Sequence, residues 1–146
     1  MQVCEIMSHP VHVASVTTQS RDAARRMRDE NIGALPVVPA GENDRVVGMV
    51  TDRDIVVRAV AENRLPSNAA VSTVMSEGVY YCFDDDSLEQ AAQIMAEHQV
   101  RRLPVLNRDQ RLVGIVTIAD IARRGVKEAE VRAIEGVSEP SDQPRR

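Results

Sequence analysis

The sequence predicts a mixed α/β (α+β) fold in which two β-α-β-β-α repeats pack about a pseudo-twofold axis. Three observations carry this. The chain matches itself at a nearly constant offset, each matched half runs through strand-like and helix-like apolar patterns in the same order, and the length of 146 residues suits one compact pair. Met7-Ser8, Ala23-Ala24, Met27 and Leu35-Pro36-Val37 recur as Met75-Ser76, Ala91-Ala92, Met95 and Leu103-Pro104-Val105, all 68 residues on (7 to 75). Gly48, Val50, Thr51, Asp54 and Ile55 recur as Gly114, Val116, Thr117, Asp120 and Ile121, now 66 residues on (48 to 114). The difference falls in the polar loop Pro39–Asp44, where a hairpin connection tolerates insertion.

Each copy opens with a β-rich piece, Val11–Val16 or Val79–Phe83. A helical pattern follows, with apolar Ala23, Ala24, Met27 and Ile32, or Leu88, Ala91, Ala92, Met95 and Val100. Ser87 with Gln90 three residues later is a capping box that opens the second of these helices. Two apolar runs then form a hairpin, Leu35–Val38 with Val46–Thr51 and Leu103–Leu106 with Leu112–Thr117. Pro36 and Pro104 sit at strand starts, where a missing N–H costs little. A last helix runs from Asp52 to about Asn63, and from Ile118 to Arg124 or beyond. One such unit is too small to cover its own sheet, so the two copies are expected to pack together. The expected boundaries are 1–64 for the first copy, 65–70 for a linker containing Pro66, Ser67 and Asn68, and 71–126 for the second copy. An exposed helix is expected over 127–135 and a disordered tail over 136–146.

Composition removes several function classes. Hydrophobic residues make up 43% of the chain, but the apolar runs are far too short to cross a bilayer. A net charge of −4 gives none of the positive field that drives nonspecific nucleic-acid binding, so neither membrane nor nucleic acid is expected as a partner. Two cysteines, Cys4 and Cys82, do not make a disulfide framework, and no secretory signal pattern opens the chain. The expected location is cytoplasmic. No nucleophile–base–acid set or P-loop is present, so a non-enzymatic protein is expected. Aromatic residues are 2% of the chain, which leaves Tyr80, Tyr81 and Phe83 as the rings able to stack on a base. Alternation puts one tyrosine of the pair inward and the other outward, with core packing favoured over the edge of a ligand site.

The residues with chemical promise stand at the strand-to-helix junctions. Thr51 and Thr117 place unpaired amides and the positive end of a helix dipole at one spot, which suits a phosphate. Asp54 and Asp120, three residues on, offer carboxylates to the two vicinal hydroxyls of a ribose. The same Thr-to-Asp spacing is also a capping box, worth about 0.5–2 kcal/mol with no ligand at all. Both readings stay open. Arg53 is read first as a surface ion pair with Asp52 or Asp54 and second as a ligand contact. His9, His12 and Cys4 do not reach metal-site spacing and read as a solvated loop, while Cys82 reads as a small buried hydrophobe. Met7, Met27, Met75 and Met95 read as packing.

Gly48-Met49-Val50-Thr51-Asp52-Arg53-Asp54 and Gly114-Ile115-Val116-Thr117-Ile118-Ala119-Asp120, each preceded by Leu-Pro-Val, resemble tandem CBS domains, named after cystathionine β-synthase. The likeness spans about Val3 to Arg124, and the Asp52–Val56 and Gln99–Arg102 stretches are similar to those of small stand-alone bacterial CBS-pair proteins. The resemblance implies a homodimer of pairs and a regulatory ligand in the clefts between repeats: AMP, ADP, ATP or S-adenosylmethionine. No cofactor is implied as a requirement. It places a phosphate-contacting arginine at Arg102, where the first copy has Ala34, and a base beside the small Gly33-Ala34. Arg102, Thr117 and Asp120 are then the leading ligand set, with Thr51, Asp54, Arg53 and Ala34 in the other copy. An unidentified downstream protein would read the ligand-dependent arrangement. A ligand-free interaction module is the rival reading, and a metal or redox sensor using Cys4, Cys82 and the histidines is a weaker third.

Overall fold

The computed structural model of the protein describes residues 1–124 and 134–135. The expected helix over 127–135, apart from its last two residues, and the tail over 136–146 lie outside the described residues. In chain order the elements are β1 (Ala14–Ser15), α1 (Ser20–Glu30), β2 (Ala34–Val38), β3 (Gly48–Thr51), α2 (Asp52–Ile55), β4 (Ser76–Glu77), β5 (Cys82–Phe83), α3 (Leu88–His98), β6 (Arg102–Leu106), β7 (Leu112–Thr117) and α4 (Ile118–Arg123). α2 continues as a π-helical turn over Val56–Val60. Short 3₁₀ turns cover Val3–Glu5 and Val71–Thr73.

Two compact units result, one of His12–Val79 and one of Met1–Val11 with the described residues from Tyr80 onward. The first holds a sheet in the order β1-β2-β3-β4, the second a sheet in the order β5-β6-β7. In each, a short parallel strand flanks an antiparallel hairpin: Ala14 lies opposite Val37 and Cys82 opposite Val105. The hairpins follow the apolar runs closely, with Leu35 paired to Val50 and Leu103 to Val116. All four of those side chains are fully buried.

The packed units divide the chain differently from the copies in the sequence. Met75-Ser76, which opens the second copy, pairs with the first hairpin: Met49 lies opposite Ser76 and Gly48 opposite Glu77. Met7-Ser8, which opens the first copy, sits in the other unit, where Ser8 donates to the Ile115 carbonyl at 2.8 Å and accepts from the Ile115 amide at 3.0 Å. The glycines at 48 and 114 make this exchange sterically possible. A Cβ on Gly48 would lie 2.8 Å from the Ser76 carbonyl oxygen and 2.9 Å from Met75 Sδ, and a Cβ on Gly114 would collide with Met7 Sδ. Each hairpin edge is thus covered by main chain from the neighbouring copy, which keeps its amides from standing unpaired.

The helices obey the apolar spacing, except that Ile32 lies beyond the end of α1 and is exposed. α1 buries Ser20, Ala23 and Met27, and α3 buries Leu88, Ala91, Ala92 and Met95. Ser87 and Gln90 form the expected capping box, with the Gln90 amide donating to Ser87 Oγ at 3.1 Å and the Ser87 amide to Gln90 Oε1 at 2.8 Å. Both helices end on a left-handed residue, Asn31 or Gln99, each at φ 53°. The following amides, of Ile32 and Val100, then reach back to the carbonyls of Met27 and Met95.

Several local expectations are corrected. The first strand of each copy is confined to two residues rather than spanning Val11–Val16 or Val79–Phe83. Tyr80 and Tyr81 therefore precede the strand instead of alternating along it, and both are exposed. Tyr80 stacks on His98 with ring centroids 3.7 Å apart, and Tyr81 meets the edge of Phe83. Cys82 is buried as expected, and burial pushes its thiol up to about 12. No helix among the described residues is long and apolar enough to cross a membrane.

Candidate functional site

The hairpins place the predicted residues in matching pairs. Arg102 and Thr117 face each other across β6 and β7, and Ala34 and Thr51 do so across β2 and β3. The register is locked at the corner itself. The Ile118 amide donates to the Arg101 carbonyl at 2.9 Å, and the Asp52 amide to the Gly33 carbonyl at 3.1 Å. Each helix therefore begins beside the strand that carries position 102 or 34, so Arg102, Thr117 and Asp120 belong to one corner and Ala34, Thr51 and Asp54 to the other.

Both aspartates are buried and turned onto their own helix starts. The Thr51 amide donates to Asp54 Oδ2 at 2.9 Å while the Asp54 amide donates to Thr51 Oγ1 at 3.1 Å. In the other copy the Thr117 amide donates to Asp120 Oδ2 at 2.8 Å, and the Asp120 amide to Thr117 Oγ1 at 3.1 Å. These are complete capping boxes, so the helix-start reading of the Thr-to-Asp spacing is realised at both corners.

Beyond that shared frame the corners differ. Thr117 Oγ1 also donates to Asp120 Oδ2 at 3.0 Å, and the Arg123 guanidinium pairs with Asp120 Oδ1. At Asp54 the second carboxylate oxygen has no partner among the described residues, because Val57 stands where Arg123 does in the other copy. Main-chain donors differ as well. The Arg53 amide is taken by Asp52 Oδ1 at 2.8 Å, whereas Ile118 at the matching position has no oxygen to offer the Ala119 amide.

The arginines are placed as follows. Arg102 is half-buried with no ion pair or hydrogen bond from its guanidinium among the described residues, so its fork of donors is unspent. Arg53 is exposed and makes no ion pair with Asp52 or Asp54, contrary to its simplest reading; its neighbours' carboxylates are engaged by main-chain amides instead. Arg123 is not among the residues that the repeats share. Its signal is the i, i+3 spacing from Asp120 on a helix, a spacing at which side chains meet.

No group of three or more His, Cys, Asp or Glu side chains among the described residues is arranged to hold a metal ion. Cys4 is exposed and Cys82 is a buried thiol, and both are free. His12 pairs with Glu30 at 3.3 Å and takes a contact from Arg26 at 3.0 Å. A groove of about 330 Å³ lies between α1 and α2, lined by Ala24, Met27, Arg28, Ile32, Asp52, Ile55 and Val56. None of the predicted ligand residues lines it.

Two repeats, each with an exchanged edge segment and a Thr-x-x-Asp corner beside an antiparallel hairpin, define a class. The chain belongs to the CBS domain family, whose profile matches residues 3–60 and 71–127. It is 42% identical over 118 residues to hypoxic response protein 1 of Mycobacterium tuberculosis, covering 81% of this chain and 80% of that protein. A solved structure of Hypoxic Response Protein I with two coordinated zinc ions is 40% identical and superposes with a TM-score of 0.76, covering 84% of this chain and 98% of that one. The CBS domain pair of protein MJ0100, solved in complex with methylthioadenosine and S-adenosyl-L-methionine, is 29% identical with a TM-score of 0.74, covering 85% and 98%.

Proposed function

We propose that this protein is a non-catalytic regulatory module that binds an adenosine-containing ligand at its strand-to-helix corners. The ribose hydroxyls donate to the corner aspartate, Asp120 or Asp54, and the phosphate of AMP, ADP or ATP is held by Arg102. Thr117 and Thr51 hold the aspartates in place, and the small Ala34 leaves room for the base in the first copy. The observation that carries this reading is the Arg102 guanidinium, without a partner among the described residues, standing across the ladder from Thr117 at the end of the strand that abuts the Asp120 helix start. Support comes also from the MJ0100 pair, which holds S-adenosyl-L-methionine and methylthioadenosine. S-adenosylmethionine carries no phosphate, so for that ligand the ribose contact dominates and Arg102 has only the methionine carboxylate to meet.

The module works as a homodimer. Val56, Val57 and Val60 are 56%, 40% and 54% exposed along one stretch of helix, an apolar surface that supports a second copy as its cover. A change in the angle between repeats on binding would then be read by a downstream protein, which requires unequal ligand affinity for the two arrangements. The rival reading, a ligand-free interaction module, is favoured by the complete capping boxes, since these explain both aspartates without a ligand.

Thermal unfolding with AMP, ADP, ATP and S-adenosylmethionine separates the two. A ligand at 100 times its Kd adds about 2.7 kcal/mol of apparent stability. That rise is expected for the wild type, is expected to shrink for the phosphorylated ligands in Arg102→Ala, and is expected to vanish in Asp54→Ala/Asp120→Ala. Loss of each cap lowers the unliganded stability by about 0.5–2 kcal/mol under either reading. A chain that shows the lower unliganded stability in the variants but no rise with any of the four ligands in the wild type is an interaction module.

A further inference from the structure

We infer that Arg123 is a gate on the second corner: it occupies the carboxylate oxygen of Asp120 that a ribose needs, and the first corner has no such gate. The inference rests on the reading that the corners take ribose.

A vicinal diol brings two O–H donors and needs acceptor capacity on the carboxylate. At Asp120, Oδ2 already accepts from the Thr117 amide and from Thr117 Oγ1, and Oδ1 is paired with Arg123. Three of the roughly four acceptor positions of the carboxylate are then taken, and a vicinal diol, which needs two, seats both hydroxyls only by displacing Arg123 from Oδ1. At Asp54 the described residues give Oδ2 one donor, the Thr51 amide, and leave Oδ1 open, and Thr51 Oγ1 makes no hydrogen bond to the carboxylate. Val57 stands at the gate position and has nothing to offer a carboxylate.

Arg123 is built to move. Its side chain is 72% exposed while that of Asp120 is 7% exposed, so the arginine can swing into water and leave a preformed acceptor behind. At rest the guanidinium adds a charged donor to the two that Thr117 supplies, and an incoming pair of hydroxyl donors takes its place. Arg123 therefore lowers the affinity of the second corner without touching the ligand in the bound state, which makes it a positioning residue acting through Asp120.

Calorimetric titration of the full chain with AMP tests this. Asp54→Asn disables the first corner and leaves the second to be read alone. In that background Arg123→Met, which keeps the apolar stem and removes the charge, is expected to tighten AMP binding about fivefold, the scale of an ion pair with one exposed partner. Arg123→Met in the otherwise native chain is the companion variant and avoids any loss of fold from Asp54→Asn; it should tighten one of the two binding steps by the same factor. Unchanged or weaker AMP binding in both Arg123 variants overturns the gate while leaving the ligand reading intact. Absence of AMP binding in the wild type and every variant overturns both together.

Discussion

Asp54 and Asp120 occupy the same place in two copies of one motif, accept the same amide at nearly the same distance, and are equally buried, yet one keeps an open oxygen and the other is closed by Arg123. Arg102 shows the reverse imbalance, since its partner position in the first copy is Ala34. The capping box belongs to the fold and has to be present in both halves. What varies is the residue one turn further along the helix and the residue across the ladder, and these sit where substitution leaves the cap and the core untouched. A duplicated fold can therefore hold two corners of unequal chemistry on one frame.

The frame itself should prove symmetric. Leu35 and Leu103 are fully buried at matched positions in their own cores. Leu35→Ala and Leu103→Ala are each expected to cost about 2–5 kcal/mol in chemical denaturation. Near-equal losses support two equivalent cores, and a large loss at one position with almost none at the other breaks the comparison.

A smaller effect should distinguish the cores chemically. Ala14 and Cys82 are matched residues, each buried on the parallel strand beside its hairpin. Burial, with Asp86 and Asp84 adding to it, raises the Cys82 thiol from an ordinary value of 9.0 to about 12. A folded pKa raised above the unfolded one gives stability that is whole below the unfolded value and drains away as pH climbs towards the folded one. Unfolding free energy should therefore fall between about pH 9 and 12, and Cys82→Ala should remove that part of the fall. A pH profile identical in the variant would show that Cys82 contributes none of it.

Much of this was legible in the residues. The hairpins, the Ser87 capping box and the helix faces followed from local periodicity and spacing, because short-range patterns report short-range structure. The exchange of Met7-Ser8 and Met75-Ser76 between units did not. A repeat offset records which residues are equivalent, and it is silent on which copy they pack against; the glycines at 48 and 114 permit the close approach of a Met-Ser segment without selecting its copy. Alternation does not reach Tyr80 and Tyr81, because they precede the two-residue strand. At the site, the Thr-x-x-Asp spacing carries the helix start at each corner, while the pairing of Arg102 with Thr117 and Ala34 with Thr51 comes from the hairpin register. Arg123 was missed because it breaks the repeat, matching Val57, and attention to shared residues passes over those that differ.

The most direct measurement is a crystal structure of the protein with AMP. The account predicts ribose hydroxyls on the carboxylate of Asp54 or Asp120, a phosphate against Arg102 where the second corner is filled, and Arg123 withdrawn from Asp120 there. AMP bound away from both corners, with each aspartate engaged only by its own helix start, would contradict it.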